Sequence, residues 1–210
     1  MLAVFLAGME RCHAVASSEI PPDTLATLQE TFAEVRDRLW DYNDERWHRG
    51  EYGRCIALMR IIVEIDPHDV EAWDNAAWLM ENALRDDEAE VWRLRGLAHN
   101  TDVYDLFFYL GFFYYTHQRY SEAVAYLEAA ASFVNSPVFV TNMLAHAYEK
   151  MGCTTEALNL WLIREAVSPN DPIPPRQIAR ILQSEPASEV PEFLSRMREQ
   201  RLREREELKQ

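Results

Sequence analysis

The stretch from Tyr104 to Pro137 reads YDLFFYLGFFYYTHQRYSEAVAYLEAAASFVNSP and contains two helical segments with a break between them. Its first twelve residues are apolar nearly all round, which is typical of a deeply buried helix. Thr116-His117-Gln118 interrupts this run, and a second apolar segment follows around Ala123. Asn135-Ser136-Pro137 then ends the second segment. The stretch therefore predicts a helix-turn-helix unit.

The same unit recurs along the chain at a spacing of 34 residues, with starts at Arg36, Val70, Tyr104 and Val138 and no insertion between them. Positions eight and twenty of the units carry mostly small residues: Asn43, Ala77, Gly111 and Ala145 at the former, and Cys55, Ala89, Ala123 and Ala157 at the latter. Small residues there let two helices approach closely, while large residues at positions four, seven, eleven and twenty-four fill the space around the contact. This periodicity predicts stacked helix pairs.

The third unit resembles the tetratricopeptide repeat, whose pattern is W-x2-L-G-x2-Y, then A-x3-F, then P. It carries Phe107, Leu110-Gly111 and Tyr114 at the first set of positions, and Ala123 at the next. The resemblance covers residues 36–171. It implies an all-α fold, a right-handed superhelical solenoid of antiparallel helix pairs.

Two of the units depart from the pattern. The first has Asn43 and Arg46 where small and aromatic residues are usual. The second opens well with Trp73 but weakens at Arg93 and Gly96. Four units in one phase nevertheless make the pattern specific.

Both ends of the repeat array need a cover for their apolar faces. Leu25, Leu28, Phe32 and Val35 form one stripe of a helix that follows Pro21-Pro22 and leads into the first unit. The predicted organisation is an N-terminal segment and capping helix over residues 1–35, four repeats (36–69, 70–103, 104–137 and 138–171), and a degenerate fifth repeat with a charged C-terminal helix over 172–210.

By the resemblance, the first helices of the units line a concave groove. The predicted partner-binding residues are Trp40, Asp44, Trp47, Asp74, Trp78, Glu81, Phe108, Phe112, Tyr115, Asn142, His146 and Glu149. This surface combines aromatic rings with carboxylates and has almost no positive charge. It suits a protein or peptide that presents apolar or aromatic residues beside lysine or arginine. A clamp for a C-terminal carboxylate is disfavoured, because it would require basic residues there.

Several alternatives remain open at this level. The leading hypothesis is a non-enzymatic adaptor or assembly factor; the alternatives are an acidic secretion or assembly chaperone that shields apolar client segments, and an envelope-associated structural protein. The apolar residues 1–16 could fill the groove, and the groove could equally form a homodimer contact. The same segment could act as an export signal, but it is too short to span a bilayer.

Composition excludes several other classes of function. The formal net charge of −14 would repel a nucleic-acid backbone. Cys12, Cys55 and Cys153 show no metal-ligand spacing and read as free thiols of a reducing compartment, which favours the cytoplasm. No phosphate-binding loop, nucleophile motif or metal-ligand pattern is visible, so we expect no catalytic residue, no metal and no cofactor.

Overall fold

The computed structural model describes residues 21–184, together with Arg196 and Arg203. The predictions for residues 1–16 and for a charged C-terminal helix lie outside the described residues. Within residues 21–184 the chain forms nine α-helices and no strand. They are α1 (Pro22–His48), α2 (Tyr52–Ile65), α3 (Val70–Asn82), α4 (Asp86–His99), α5 (Tyr104–Thr116), α6 (Tyr120–Ala131), α7 (Val138–Lys150), α8 (Thr154–Val167) and α9 (Ile173–Ser184).

The helix ends repeat with the period of the sequence. Helices α3, α5 and α7 begin at residues 70, 104 and 138, and α1, α3, α5 and α7 end at 48, 82, 116 and 150. Helices α2, α4, α6 and α8 begin at 52, 86, 120 and 154. The turn inside each pair contains one residue with positive φ: Gly50, Leu84, Gln118 and Gly152, again 34 residues apart. The prediction of an all-α helical solenoid is confirmed.

The helices stack in chain order. Each helix packs on the next one from α1 to α9, and the first helices of neighbouring pairs also meet, α3 with α5 and α5 with α7. The second helices α2, α4, α6 and α8 do not pack on one another to the same degree. Helices α3, α5 and α7 are therefore more closely spaced than α4, α6 and α8, as the concave side of a curved stack requires.

Small residues occupy the contact between the two helices of each pair. Cys55, Ala77, Ala123 and Ala157 are fully buried. At Gly111 a Cβ atom would lie 2.6 Å from Cγ of Leu127, so α5 and α6 approach closer than an alanine there would allow. Large side chains such as Trp73 and Trp161, at most 1% exposed, fill the space around these contacts.

Helix α1 is longer than any other helix in the described part of the chain. It runs from Pro22 to His48 without a break at residue 35 or 36, where the sequence analysis divides the cap from the first repeat. No glycine or proline stands between Pro22 and His48 to end a helix. That division between two domains stays a prediction, and it falls inside one continuous helix.

Candidate partner-binding groove

Two of the predicted groove tryptophans lie against each other in the first two units. Trp47 of α1 and Trp78 of α3 stack with ring centroids 5.8 Å apart and planes 24° apart. Tyr52 meets Trp47 edge-on at 5.5 Å. Trp78 nevertheless remains 47% exposed, so much of its ring faces solvent. The stack thus presents a wide aromatic surface that is already ordered.

Three phenylalanines form a second ring cluster on the first helices of the third and fourth units. Phe108 of α5 meets Phe139 of α7 at 4.9 Å and lies 6.2 Å from Phe112 on its own helix. Phe112 and Phe139 are 43% and 48% exposed. Phe139 is not among the residues predicted above. It stands at position two of its unit, and by the resemblance this position of a first helix also faces the groove, so the sequence contained the signal for it.

Two of the predicted groove aromatics are tied to structural neighbours. The indole N–H of Trp40 donates to the Asp69 carboxylate at 2.8 Å, and Asp69 also accepts from the backbone N–H of Ala72 at the start of α3. Tyr115 is partly buried and meets Tyr120 of α6 edge-on at 5.7 Å. Trp40 and Tyr115 therefore contribute contacts within the fold, and their place in the groove stays a prediction.

A buried arginine that is not among the predicted groove residues pairs with two of the predicted groove carboxylates. Arg93 of α4 is 4% exposed, and its guanidinium contacts the carboxylates of Glu81 and Asp74, the latter at 3.2 Å. It also lies 5.4 Å from the ring centroid of Phe113. The prediction of a groove with almost no positive charge therefore misses this second-helix contribution.

A signal for Arg93 was present in the repeat alignment. At position twenty-four, the other units carry Met59, Leu127 and Trp161, all apolar and buried. An arginine at a core position of a unit whose own first helix carries three acids, Glu71, Asp74 and Glu81, indicates a buried ion pair.

The local environment shifts the pKa of two groups near Arg93. Burial raises the pKa of Asp74, Arg93 lowers it in part, and the charges of Glu81 and Asp105 add to the rise. Burial, together with the negative charges of Asp74 and Asp105, raises the pKa of Tyr109 to about 12. Arg93 is thus the group that favours the charged form of Asp74 against the effect of burial.

The fourth unit presents a hydrogen-bonded network. Burial favours a higher pKa for Glu149, but hydrogen bonds from His146 and Arg180 of α9 outweigh it, so the pKa is lowered. His146 lies 3.4 Å from Glu149 and meets Trp161 edge-on at 5.3 Å. Asn142 accepts a hydrogen bond of 3.2 Å from Nε of buried Arg164. These predicted groove residues are thus fixed by neighbouring helices.

Asp44 is the most exposed of the predicted groove carboxylates. Its Oδ1 lies 3.5 Å from Nδ1 of His48, and both side chains are more than 70% exposed. The described residues contain no group of three His, Cys, Asp or Glu side chains that could hold a metal ion. Asp44 therefore adds an exposed negative charge to the predicted groove.

A hollow of about 510 Å³ lies between the second helices α2 and α4. It is lined by Arg60, Ile61, Glu64, Glu88, Val91, Trp92 and Arg95. Its two arginines are paired, Arg60 with Glu88 and Arg95 with Glu64. This surface shares no residue with the predicted groove.

Solved structures share this architecture. The pilF protein of Pseudomonas aeruginosa superposes with a TM-score of 0.60 at 21% identity, over 73% of this chain and 70% of that one. A MamA protein gives 0.54 at 16% identity, over 65% and 75% of the two chains. A chain from the Naa15/Naa10 complex bound to HypK-THB gives 0.53 at 15% identity, over 65% of this chain and 21% of that one.

No protein-family model matches the sequence, and no curated protein matches it either. The likeness at the level of structure, together with the phase of the helices, shows that the chain has the tetratricopeptide-repeat fold. A membrane-spanning helix must be both long and apolar, and the helices of residues 21–184 include none that is both.

Proposed function

We propose that this protein is a non-enzymatic interaction scaffold whose concave groove holds a protein segment with apolar or aromatic residues beside lysine or arginine. The observation that supports it best is the Trp47–Trp78 stack, in which two repeat units expose one continuous aromatic face. Such rings supply large contact areas at a small entropic cost, which is why they dominate binding energy at interfaces.

The second ring cluster gives the same ligand another anchoring point. Phe108, Phe112 and Phe139 lie one repeat pair further along the stack and are partly or well exposed. A segment lying along the first helices would meet both clusters in turn. This arrangement favours an extended or helical ligand with at least two apolar residues.

The negative charge of the protein favours a ligand that carries basic residues beside its apolar ones. The chain has a formal net charge of −14, so a cationic segment is attracted over a long range. Close to the groove, Arg93 offsets the acids of the second unit, while Asp44 remains exposed beside the first. We therefore expect aromatic contacts to set the affinity, and basic residues to add to it through Asp44 and cation–π contacts.

The likeness to a chain from the Naa15/Naa10 complex supports an assembly role of this kind, because that complex joins Naa15 and Naa10 with HypK-THB. A scaffold of the same fold in this chain would join partners without chemistry of its own.

The test uses synthetic peptides with an apolar core flanked either by lysines or by glutamates. We expect the lysine-flanked set to bind and to change the tryptophan fluorescence of the groove. Trp78→Ala combined with Phe112→Ala should weaken binding by roughly 1–2 kcal/mol per ring, or about 5- to 30-fold for each. Ile61→Ala is the matched control, since Ile61 is 50% exposed on second helix α2.

Capture of proteins from the native cell, compared between wild type and the same variants, identifies the ligand. Partners that depend on the groove should be lost with the double variant and kept with Ile61→Ala. Equal recovery with both variants, at unchanged melting temperature, would contradict the proposal.

A further inference from the structure

The N-terminal half of α1 extends past α2, the helix that packs most extensively on α1 among the described residues. Helix α2 has 14 residues, or about 21 Å at 1.5 Å per residue, so it covers only the second half of the 27-residue α1. The ion pair of Arg36 with Asp66, at 2.7 Å, marks the end of this cover. Residues 22–35 continue as helix beyond it.

The uncovered part of α1 carries an apolar stripe with coiled-coil spacing. Leu25, Leu28, Phe32 and Val35 follow one another at intervals of three, four and three, and Leu39 continues the series onto the core. The first four are 44%, 40%, 52% and 41% exposed. A stripe of this narrow 3–4 kind fits the face of one other helix.

The charges of this segment lie away from the stripe. Counting Leu25 as position a of a heptad, Asp23, Glu30, Glu34 and Asp37 fall at the outer positions c and f. The flanking e and g positions next to the stripe hold Thr24, Gln29 and Thr31, which are uncharged. Two copies of an acidic chain can therefore bring these stripes together without placing carboxylates against each other.

We propose that the segment 22–35 of α1 pairs with the same segment of a second copy in an antiparallel two-helix seam. Antiparallel pairing places Leu28 opposite Phe32 of the second copy, and Leu25 opposite Val35 of the second copy. It also sends the two solenoids away from each other, whereas parallel pairing would bring both α2 helices to the same end.

The surroundings of the seam fit this arrangement. A hollow of about 210 Å³ adjoins Phe32 where α2 ends, between α1 and Ile65-Asp66. The first turn of the second copy, with its Asp23, would lie close to this hollow and to Arg36 and Arg38. The seam lies apart from the ring clusters of the groove, so a dimer would carry two grooves and could bind a repeated ligand with avidity.

Sedimentation equilibrium of the full chain tests the seam. We expect a reversible monomer–dimer equilibrium with a dissociation constant between about 1 μM and about 1 mM. Leu28→Glu and Phe32→Lys should each abolish dimerisation alone, because each places two like charges in the seam. Mixed in equal amounts, they should recover a heterodimer, since residue 28 of one copy then faces residue 32 of the other. Ala26→Glu, which adds the same charge on the outer face, should dimerise like wild type.

Three outcomes would overturn the proposal. Wild type could stay monomeric while Leu28→Glu lowers its melting temperature, which would show that another segment of the same chain, such as residues 1–20, covers the stripe. Dimerisation could persist in both single variants, which would place the contact elsewhere. The mixture could remain monomeric, which would exclude the antiparallel register.

Discussion

Gly96 illustrates how a single residue that departs from the repeat pattern can serve the packing. A Cβ atom at this position would lie 2.8 Å from Cγ and Cδ2 of Trp73. The Trp73 ring cannot easily shift, because its N–H donates to the carbonyl of Pro67 at 2.9 Å and its face packs on Trp92 at 4.5 Å. Gly96 therefore leaves room for the Trp73 ring in the core of the second unit.

Gly96→Ala should for this reason destabilise the protein although it raises helix propensity. The propensity gain is up to about 1 kcal/mol, whereas overpacking against a rigid buried ring costs about 1–3 kcal/mol. We expect a net loss of about 1 kcal/mol in the free energy of unfolding, measured by urea denaturation. Gly53→Ala is the matched control, because a Cβ at Gly53 meets nothing within 4 Å and should stabilise by a few tenths of a kcal/mol. Stabilisation by both alanines would refute the steric argument.

Sequence reasoning at the residue scale predicts groove positions but not their exposure. Trp40 and Trp78 both stand at groove positions, yet Trp40 is bound to Asp69 while Trp78 is 47% exposed. The difference depends on which side chain of the next unit lies opposite, and this is a property of the stacked structure. Asp74 is a similar case, since its arginine comes from a position nineteen residues further along the chain.

At the scale of helices, the spacing of breaks is enough to predict where most elements begin and end. The turns at Gly50, Leu84, Gln118 and Gly152 recur with the period of the repeat, because each helix pair must close in the same way. Helix α1 is the exception, since nothing in its sequence marks the point where α2 ceases to cover it. The length and phase of a helix can therefore be predicted from its own sequence, whereas the element that packs on its apolar face cannot.

The pair α3 and α4 is joined by the ion pairs of Arg93, and Arg93→Met should weaken that junction. Methionine fits position twenty-four, as Met59 shows in the first unit. Asp74 and Glu81, both 22% exposed, would lose their cation. We expect a loss of roughly 2 kcal/mol at neutral pH, below the about 3–5 kcal/mol typical of fully buried pairs, because water can still reach both carboxylates.

The loss should depend on pH in a defined direction. Burial raises the pKa of Asp74, and without Arg93 nothing comparable lowers it. A carboxyl whose folded pKa exceeds its unfolded pKa destabilises the fold when ionised, and this penalty disappears as pH falls through the folded pKa. The difference between wild type and Arg93→Met should therefore shrink as pH falls from neutral into the range where Asp74 takes up its proton. In the background of Asp74→Asn and Glu81→Gln, the effect of Arg93→Met should no longer change with pH. A difference between wild type and Arg93→Met that widens at low pH would contradict this account.

At the scale of the whole molecule, stability is distributed along the stack through contacts between neighbours. Helix α5 is packed by α4, α6, α3 and α7, whereas α9 contacts α8, and residues 22–35 of α1 extend beyond α2. In a stack of this kind, an element with neighbours on both sides opens only when those neighbours also open. The centre of the chain should therefore be the last part to lose its structure.

Native-state hydrogen exchange, at a concentration where the chain is monomeric, should show this order directly. We expect the slowest amides in α5 and α6, where Leu110, Leu127 and Ala130 are fully buried, and faster exchange in α9. Residues 22–35 of α1 should exchange fastest, because their apolar side chains are largely exposed and α2 does not extend along them. Raising the concentration into the dimer range should slow exchange in that segment and leave α5 unchanged. Uniform exchange across α1, α5 and α9 would mean that the chain opens as one cooperative unit, and neighbour contacts alone would then not account for its stability.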